Sequence, residues 1–277
     1  MIRFDGRVAI VTGAGRGLGA AYARELARRG AIVVVHDAGV GRRGEGGDPS
    51  VADAVVDEIR ADGGIAIASY ENLESEEACL RVVDATVSEL GRVDVLINNA
   101  GLVVYEEIEE AHRSWETLRR VGVDAPFHLS RAAFPIMKRQ RYGRIVFTTS
   151  GIAMSLENTR PGLAAYAAGK MAQLGLMVVF AAEGAPHGVL ANAISPVAAT
   201  RVYTQPYEQG ELRPESVAPG VVFLASEECT ANGIVLSAAD GVFGLRWWTR
   251  GEEVDFGKDV EAETIAARWH ELAGEGR

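Results

Sequence analysis

The sequence predicts an α/β fold: a doubly wound parallel sheet with helices on both faces. Three observations carry this. Seven short runs rich in Val, Ile and Ala alternate with longer helical segments along the 277 residues. The runs are near-continuously apolar, as strands buried on both faces are. A glycine-rich turn joins the first run to the first helical segment.

The first strand is "RVAIVTG", residues 7–13, and the turn after it reads "VTGAGRGLGAA". Gly13, Gly17 and Gly19 form a G-x-x-x-G-x-G pattern between a strand and a helix. Glycine lets the backbone turn tightly and approach a phosphate at a helix N-terminus, so this is a candidate dinucleotide site. The helix "LGAAYARELARRG" closes at Gly30, as helices often do. The second strand, "AIVVVHD", ends at Asp37, 18 residues after Gly19. An acid there accepts from the adenine-ribose 2′-hydroxyl and repels a 2′-phosphate, which favours NAD over NADP. Arg42 and Arg43 in the following loop, "GVGRRGEGGDPS", are read as solvated.

"IAIASY", "VDVLINN", "GRIVFTTS", "GVLANAIS" and "GIVLSAAD" supply the remaining strands. Two irregular stretches, "MSLENTRPGL" and "TRVYTQPYEQGELRPES", follow strands five and six, at the ends where such sheets bind ligands. Beyond Leu245 a tail over 246–277 holds Trp247, Trp248 and an expected amphipathic helix with Ile265, Trp269 and Leu272. The whole is expected to be a single domain, 1–277.

Tyr166 stands four residues before Lys170 in "YAAGK", on one helix face with only small residues between. Only three of the 28 basic residues are Lys, so a Lys placed here is informative. A compact ammonium beside a phenol is expected to lower the phenol pKa from about 10. Tyr166 would then exchange protons near neutral pH.

Net charge −10 argues against a nucleic-acid partner. Cys79 and Cys229 match no metal spacing, and no metal is expected. They read as reduced thiols of a cytoplasmic protein. No signal peptide and no apolar run long enough for a membrane span are expected.

The glycine pattern, "NNAG" at 98–101 and "YAAGK" at 166–170 together resemble the short-chain dehydrogenase/reductase family, over nearly the whole chain. The resemblance implies a Rossmann-type sheet of seven parallel strands and hydride transfer between NAD(P) and an alcohol or carbonyl. It implies Tyr166 as acid/base, Lys170 as its partner and a nicotinamide-ribose contact, and Ser150 as the hydroxyl that orients the substrate oxygen. It adds Arg16, Leu18, Asn98, Ala100, Gly101, Pro196 and Thr200 to Gly13, Gly17, Gly19 and Asp37 as cofactor contacts. Two departures stand out: Gly122 where the family has a helical Asn, and "SPVAAT", with Val197, where it has Pro-Gly. A water or a neighbouring polar side chain is expected in place of the Asn amide. Segments such as "HDAG", "YGRIVFTTS" and "ISPVAATR" resemble the (3R)-hydroxyacyl-CoA dehydrogenase units of type 2 peroxisomal multifunctional enzymes. The expected substrate is therefore a bulky secondary alcohol, hydrophobic or CoA-linked, such as a 3-hydroxyacyl-CoA or hydroxysteroid. Alternatives are a smaller cyclic or aromatic alcohol, or an inactive NAD-binding regulator. Because "MAQLGLMVVFAAE" is apolar around much of its circumference, and by family analogy, a homodimer or homotetramer is expected.

Overall fold

The computed structural model describes residues 1–201, 203, 206–246, 248 and 253–273. The chain divides into two compact units, 1–245 and 246–277.

All seven expected strands form. They are β1 (Val8–Thr12), β2 (Ile32–His36), β3 (Ile65–Ser69), β4 (Val95–Asn98), β5 (Gly143–Thr148), β6 (Val189–Val197) and β7 (Val235–Ala239). They pair in parallel in the order β3-β2-β1-β4-β5-β6-β7. An eighth strand, β8 (Val242–Arg246), extends the sheet beside β7, so the expected count of seven is corrected. Asp240 and Gly241 between them have φ of 46° and 80°. Positive φ at both central residues is what a two-residue hairpin turn requires. Every residue of β8 is exposed, and its short run Val-Phe-Gly-Leu-Arg is interrupted by Gly244, which weakens its strand signal.

Neighbouring residues on a strand face opposite sides, and two cores follow. Ala9 and Val11 join α1 (Gly17–Arg28), α2 (Ser50–Ala61) and α7 (Ala218–Ala225) on one face. Ile10 and Leu96 join α3 (Glu76–Leu90), α5 (Ala125–Gln140) and α6 (Ala164–Gly184) on the other. Between β4 and α5 runs α4 (His112–Arg119), which passes into α5 through a π turn at Arg120–Asp124. Contrary to expectation, Ala164–His187 is long and apolar enough by composition to cross a membrane. The helix packs on β5 and β6 and buries Lys170 and Gln173, which is the behaviour of a core helix between sheet and surface.

The end of the sheet opposite the loops at 13–17 and 99–101 is pinned by Asp94, which is fully buried. Its carboxylate accepts from the Val8 N–H at 2.9 Å, from Arg7 at 3.0 Å and from Arg92 at 2.7 Å. A buried charge is tolerated when it is paired and hydrogen-bonded in this way. Arg7 also pairs with Glu227 and stacks 3.7 Å over the Tyr142 ring.

In the second unit, the expected amphipathic helix is two short ones, α8 (Ala262–Ala267) and α9 (Trp269–Ala273), separated at Arg268. Arg268 binds Glu271 and lies 4.7 Å over the Phe256 ring. Trp247 lies outside the described residues.

Candidate active site

The turn from β1 into α1 is built around missing side chains. A Cβ at Gly19 would lie 2.1 Å from the Gly13 carbonyl oxygen, and one at Gly13 would lie 2.9 Å from Ala100 Cα. Gly13 and Gly17 have positive φ, 63° and 53°. The loop is braced against the end of β4. Asn99 Nδ2 donates to the carbonyls of Thr12 and Gly13 at 2.9 and 3.2 Å. Thr12 Oγ1 accepts from the Asn99 and Ala100 N–H groups at 3.0 Å. Arg16, at the N-cap of α1, makes no capping bond with its side chain. The first N–H groups of the helix therefore face the loop.

Asp37 closes the next side. Its carboxylate accepts from the Gly15 N–H at 2.9 Å and the Gly39 N–H at 2.8 Å, which fixes both oxygens at the end of β2. Thr200 arrives from β6: a Cβ at Gly17 would be 3.1 Å from its Cγ2. Arg16 and Arg201 both reach the Val40 carbonyl, at 3.5 and 2.9 Å. Leu18 packs into the core behind the loop, and Pro196 sits near the end of β6 opposite Ala238. The structure thus gathers Gly13, Arg16, Gly17, Gly19, Asp37, Ala100 and Thr200 at one crevice. Asn98 departs from the set: its amide donates to Ser130 Oγ at 3.0 Å, and the amide that supports the glycine loop is that of Asn99. A side-chain-free loop, open helix N–H groups and a fixed carboxylate fit the pyrophosphate and ribose of a dinucleotide.

The second cluster lies beside the first. Ser150 follows β5, and its Oγ accepts from the Ile152 N–H at 3.3 Å. The Ser150 hydroxyl lies near enough to the Tyr166 phenol to act on its titration. Lys170 Nζ stands 5.7 Å from the Tyr166 ring centroid and donates to the Thr148 carbonyl at 2.8 Å. A Cβ at Gly101 would lie 3.5 Å from that Nζ, so the ammonium faces the segment after β4.

The electrostatics correct one expectation. Burial raises the Tyr166 pKa above its ordinary value; the nearby Ser150 hydroxyl opposes this and Tyr105 adds to it. Lys170, whose ammonium donates to the Thr148 carbonyl at 2.8 Å, does not offset this rise. Burial also lowers Lys170, to about 8. Without a further positive charge the phenol therefore keeps its proton at neutral pH. Three residues of the site escaped the sequence reading: Asn99, Tyr105 and Gln173. "NNAG" holds the signal for Asn99; nothing in the spacing singles out the other two.

The arrangement can hold an alcohol oxygen between the Ser150 hydroxyl and the Tyr166 phenol and move its proton. The sequence profile described as short chain dehydrogenase matches residues 7–211. The chain is 41% identical over 246 residues to the peroxisomal multifunctional enzyme type 2 of Drosophila melanogaster, covering 87% of this chain and 40% of that protein. The chain thus spans less than half the length of that relative. It is 36% identical to a putative short-chain type dehydrogenase/reductase of Mycobacterium tuberculosis, over 96% of this chain and 93% of the other. The crystal structure of a short chain dehydrogenase from Mycobacterium avium superposes with a TM-score of 0.86 at 34% identity, over 99% of this chain and 97% of that one. With the crevice, the Ser-Tyr-Lys cluster and these likenesses together, the chain belongs to the short-chain dehydrogenase family, as an oxidoreductase of CH–OH groups that uses a nicotinamide cofactor.

Proposed function

We propose that the protein is an NAD-dependent dehydrogenase of a bulky secondary alcohol, such as a 3-hydroxyacyl-CoA or a hydroxysteroid. The observation that carries this reading is the pairing of Tyr166 with Lys170 on one helix face, close to Ser150 and beside the glycine crevice. The bound nicotinamide supplies the hydride acceptor. Gly13, Gly17, Gly19 and Thr200 hold the dinucleotide, and Ser150 orients the alcohol oxygen. Tyr166 takes the alcohol proton, as a base whose proton affinity must fall to suit the task. A positive charge at the nicotinamide would favour its phenolate. Similarity to the Drosophila multifunctional enzyme supports an acyl-CoA substrate over a small cyclic alcohol.

The fixed Asp37 carboxylate supports NAD. A second reading, NADP, is favoured by one observation: Arg16 and Arg42 stand close enough to Arg201 to lower its pKa, with burial the larger cause. Such a cluster suits a phosphate. The two readings separate on kcat/KM measured with NAD⁺ and NADP⁺ in a screen of 3-hydroxyacyl-CoAs, hydroxysteroids and small cyclic alcohols, followed by NAD(P)H absorbance. A clear preference for NAD⁺ with a bulky alcohol is expected. Equal values for the two cofactors would assign the arginines to the 2′-phosphate, and oxidation of small cyclic alcohols alone would overturn the substrate class.

The assembly we propose is a homodimer or homotetramer. Met171, Val178 and Val179 support it, being 41%, 53% and 57% exposed on α6. Two buried, unpaired thiols, Cys79 raised to about 12 by burial, support a reducing cytoplasmic setting.

A further inference from the structure

β4 ends at Asn98, which pairs with Phe147, one residue short of Thr148 on β5. Thr148 has outrun its neighbour strand, and its peptide groups need other partners. Both come from α6. Lys170 Nζ donates to the Thr148 carbonyl at 2.8 Å, and Gln173 Oε1 accepts from the Thr148 N–H at 3.2 Å. The other end of the same amide is also used: Gln173 Nε2 donates to the Gly122 carbonyl at 3.0 Å. Gly122 lies in the π turn, where the helical hydrogen-bond ladder is locally broken. That turn lies against α6, since a Cβ at Gly122 would be 3.6 Å from Gly169 Cα.

Gln173 is fully buried. A polar group of that size is costly in a core unless both its ends are bonded, and here they are. Three residues after Lys170, it shares that residue's helix face. We propose that Gln173 is a positioning residue of the active site: it plugs the gap between the end of β4, Thr148 and the π turn, and so holds Lys170 against the Thr148 carbonyl in a dry environment. It acts through Lys170 and touches no substrate. The inference deepens the dehydrogenase reading and rests on it.

Without the amide, the Thr148 N–H and the Gly122 carbonyl are left unpaired in buried space. Such groups draw in water. A wet gap rehydrates the ammonium and returns Lys170 toward its ordinary pKa. The ionisable groups at this place are Lys170 and Tyr166 on α6 and Tyr105 from the segment after β4; Thr148 on β5 and Gly122 in the π turn bring none. Burial alone sets the Lys170 shift, with no carboxylate contributing.

The test is the dissociation constant of NADH, read by fluorescence across pH, for wild type, Gln173→Met and Gln173→Glu, with thermal unfolding alongside. Binding weakens as the ribose-contacting ammonium loses its proton, with a wild-type midpoint near 8. Gln173→Met is expected to raise that midpoint by about one pH unit, and Gln173→Glu, which brings a carboxylate to the gap, by at least as much. If Tm falls in both variants while the midpoint stays, Gln173 is merely structural and the proposal is overturned. Should Gln173→Met not fold, the isosteric Gln173→Glu decides alone. A wild type that binds no NADH overturns the dehydrogenase reading and this inference together, whereas unmoved midpoints with intact binding overturn only the inference.

Discussion

Replacing Lys170 by Met is expected to stabilise the protein while abolishing its activity. Lys170 is 6% exposed, and burial lowers its pKa from 10.5 to about 8. That displacement corresponds to about 3 kcal/mol against the charged form in the native state. The substitution also removes the hydrogen bond to the Thr148 carbonyl, and an unpaired buried acceptor costs about 1–2 kcal/mol. Met fills the space of the aliphatic stem with little strain. The net gain at neutral pH is then about 1–2 kcal/mol, a rise in Tm of about 2–5 °C for a chain of this size. The sign depends on pH. Because the native pKa lies below the unfolded one, the full penalty is present below about 8 and disappears as pH rises to 10.5. Wild type therefore gains on the variant through that window. Thermal unfolding of both proteins, free of cofactor, at neutral and alkaline pH measures this. A variant less stable than wild type at neutral pH, or a difference that does not shrink on the alkaline side, would refute the idea that the ammonium is held desolvated.

Tyr166→Phe removes only the hydroxyl, so oxidation should vanish while NADH still binds; turnover near that of wild type would sink the assignment. Ser150→Ala removes the hydroxyl placed to orient the substrate oxygen and is expected to lower kcat by about 10²–10³, read under saturating substrate. Gly122→Asn places its Cβ in ordinary contact, 3.6 Å from Gly169 Cα. It should fold and change kcat by less than about tenfold, under about 1.4 kcal/mol of barrier; an inactive wild type rescued by this change would instead revive the reading of a non-catalytic regulator. Light scattering at micromolar concentration should report a dimer or tetramer, and a monomer would remove the role given to Met171, Val178 and Val179.

Strands buried on both faces write their burial directly into composition, which is why β1 to β7 were readable from runs of Val, Ile and Ala. β8 was not, because its apolar run is only Val-Phe-Gly-Leu, interrupted by Gly244 and lying on an exposed edge. Glycines 13, 17 and 19 were legible because the crevice admits nothing larger. At the strand end of β4, by contrast, Asn98 and Asn99 are adjacent and face opposite ways, and composition does not say which one turns to the loop. The spacing of Tyr166 and Lys170 fixes a shared face but leaves the four-carbon stem free to choose a partner. The stem chooses the Thr148 carbonyl, and the expected effect on the phenol is lost. Gln173 reads as a polar residue within an apolar helix, and its role depends on a π turn 51 residues earlier in the chain.

The Asp94 anchor has a consequence for the order of events in folding. It joins Val8 to a residue 86 positions away, across the whole of β2 and β3. Closing so long a loop adds only modest entropy, yet contacts of that separation are slow to form. The crevice between β1 and β4 has no existence before this closure. A dinucleotide therefore finds its site only on chains that have completed the step, and it acts by mass action on the finished product. Added cofactor should slow the unfolding of this protein, because it binds only the finished arrangement.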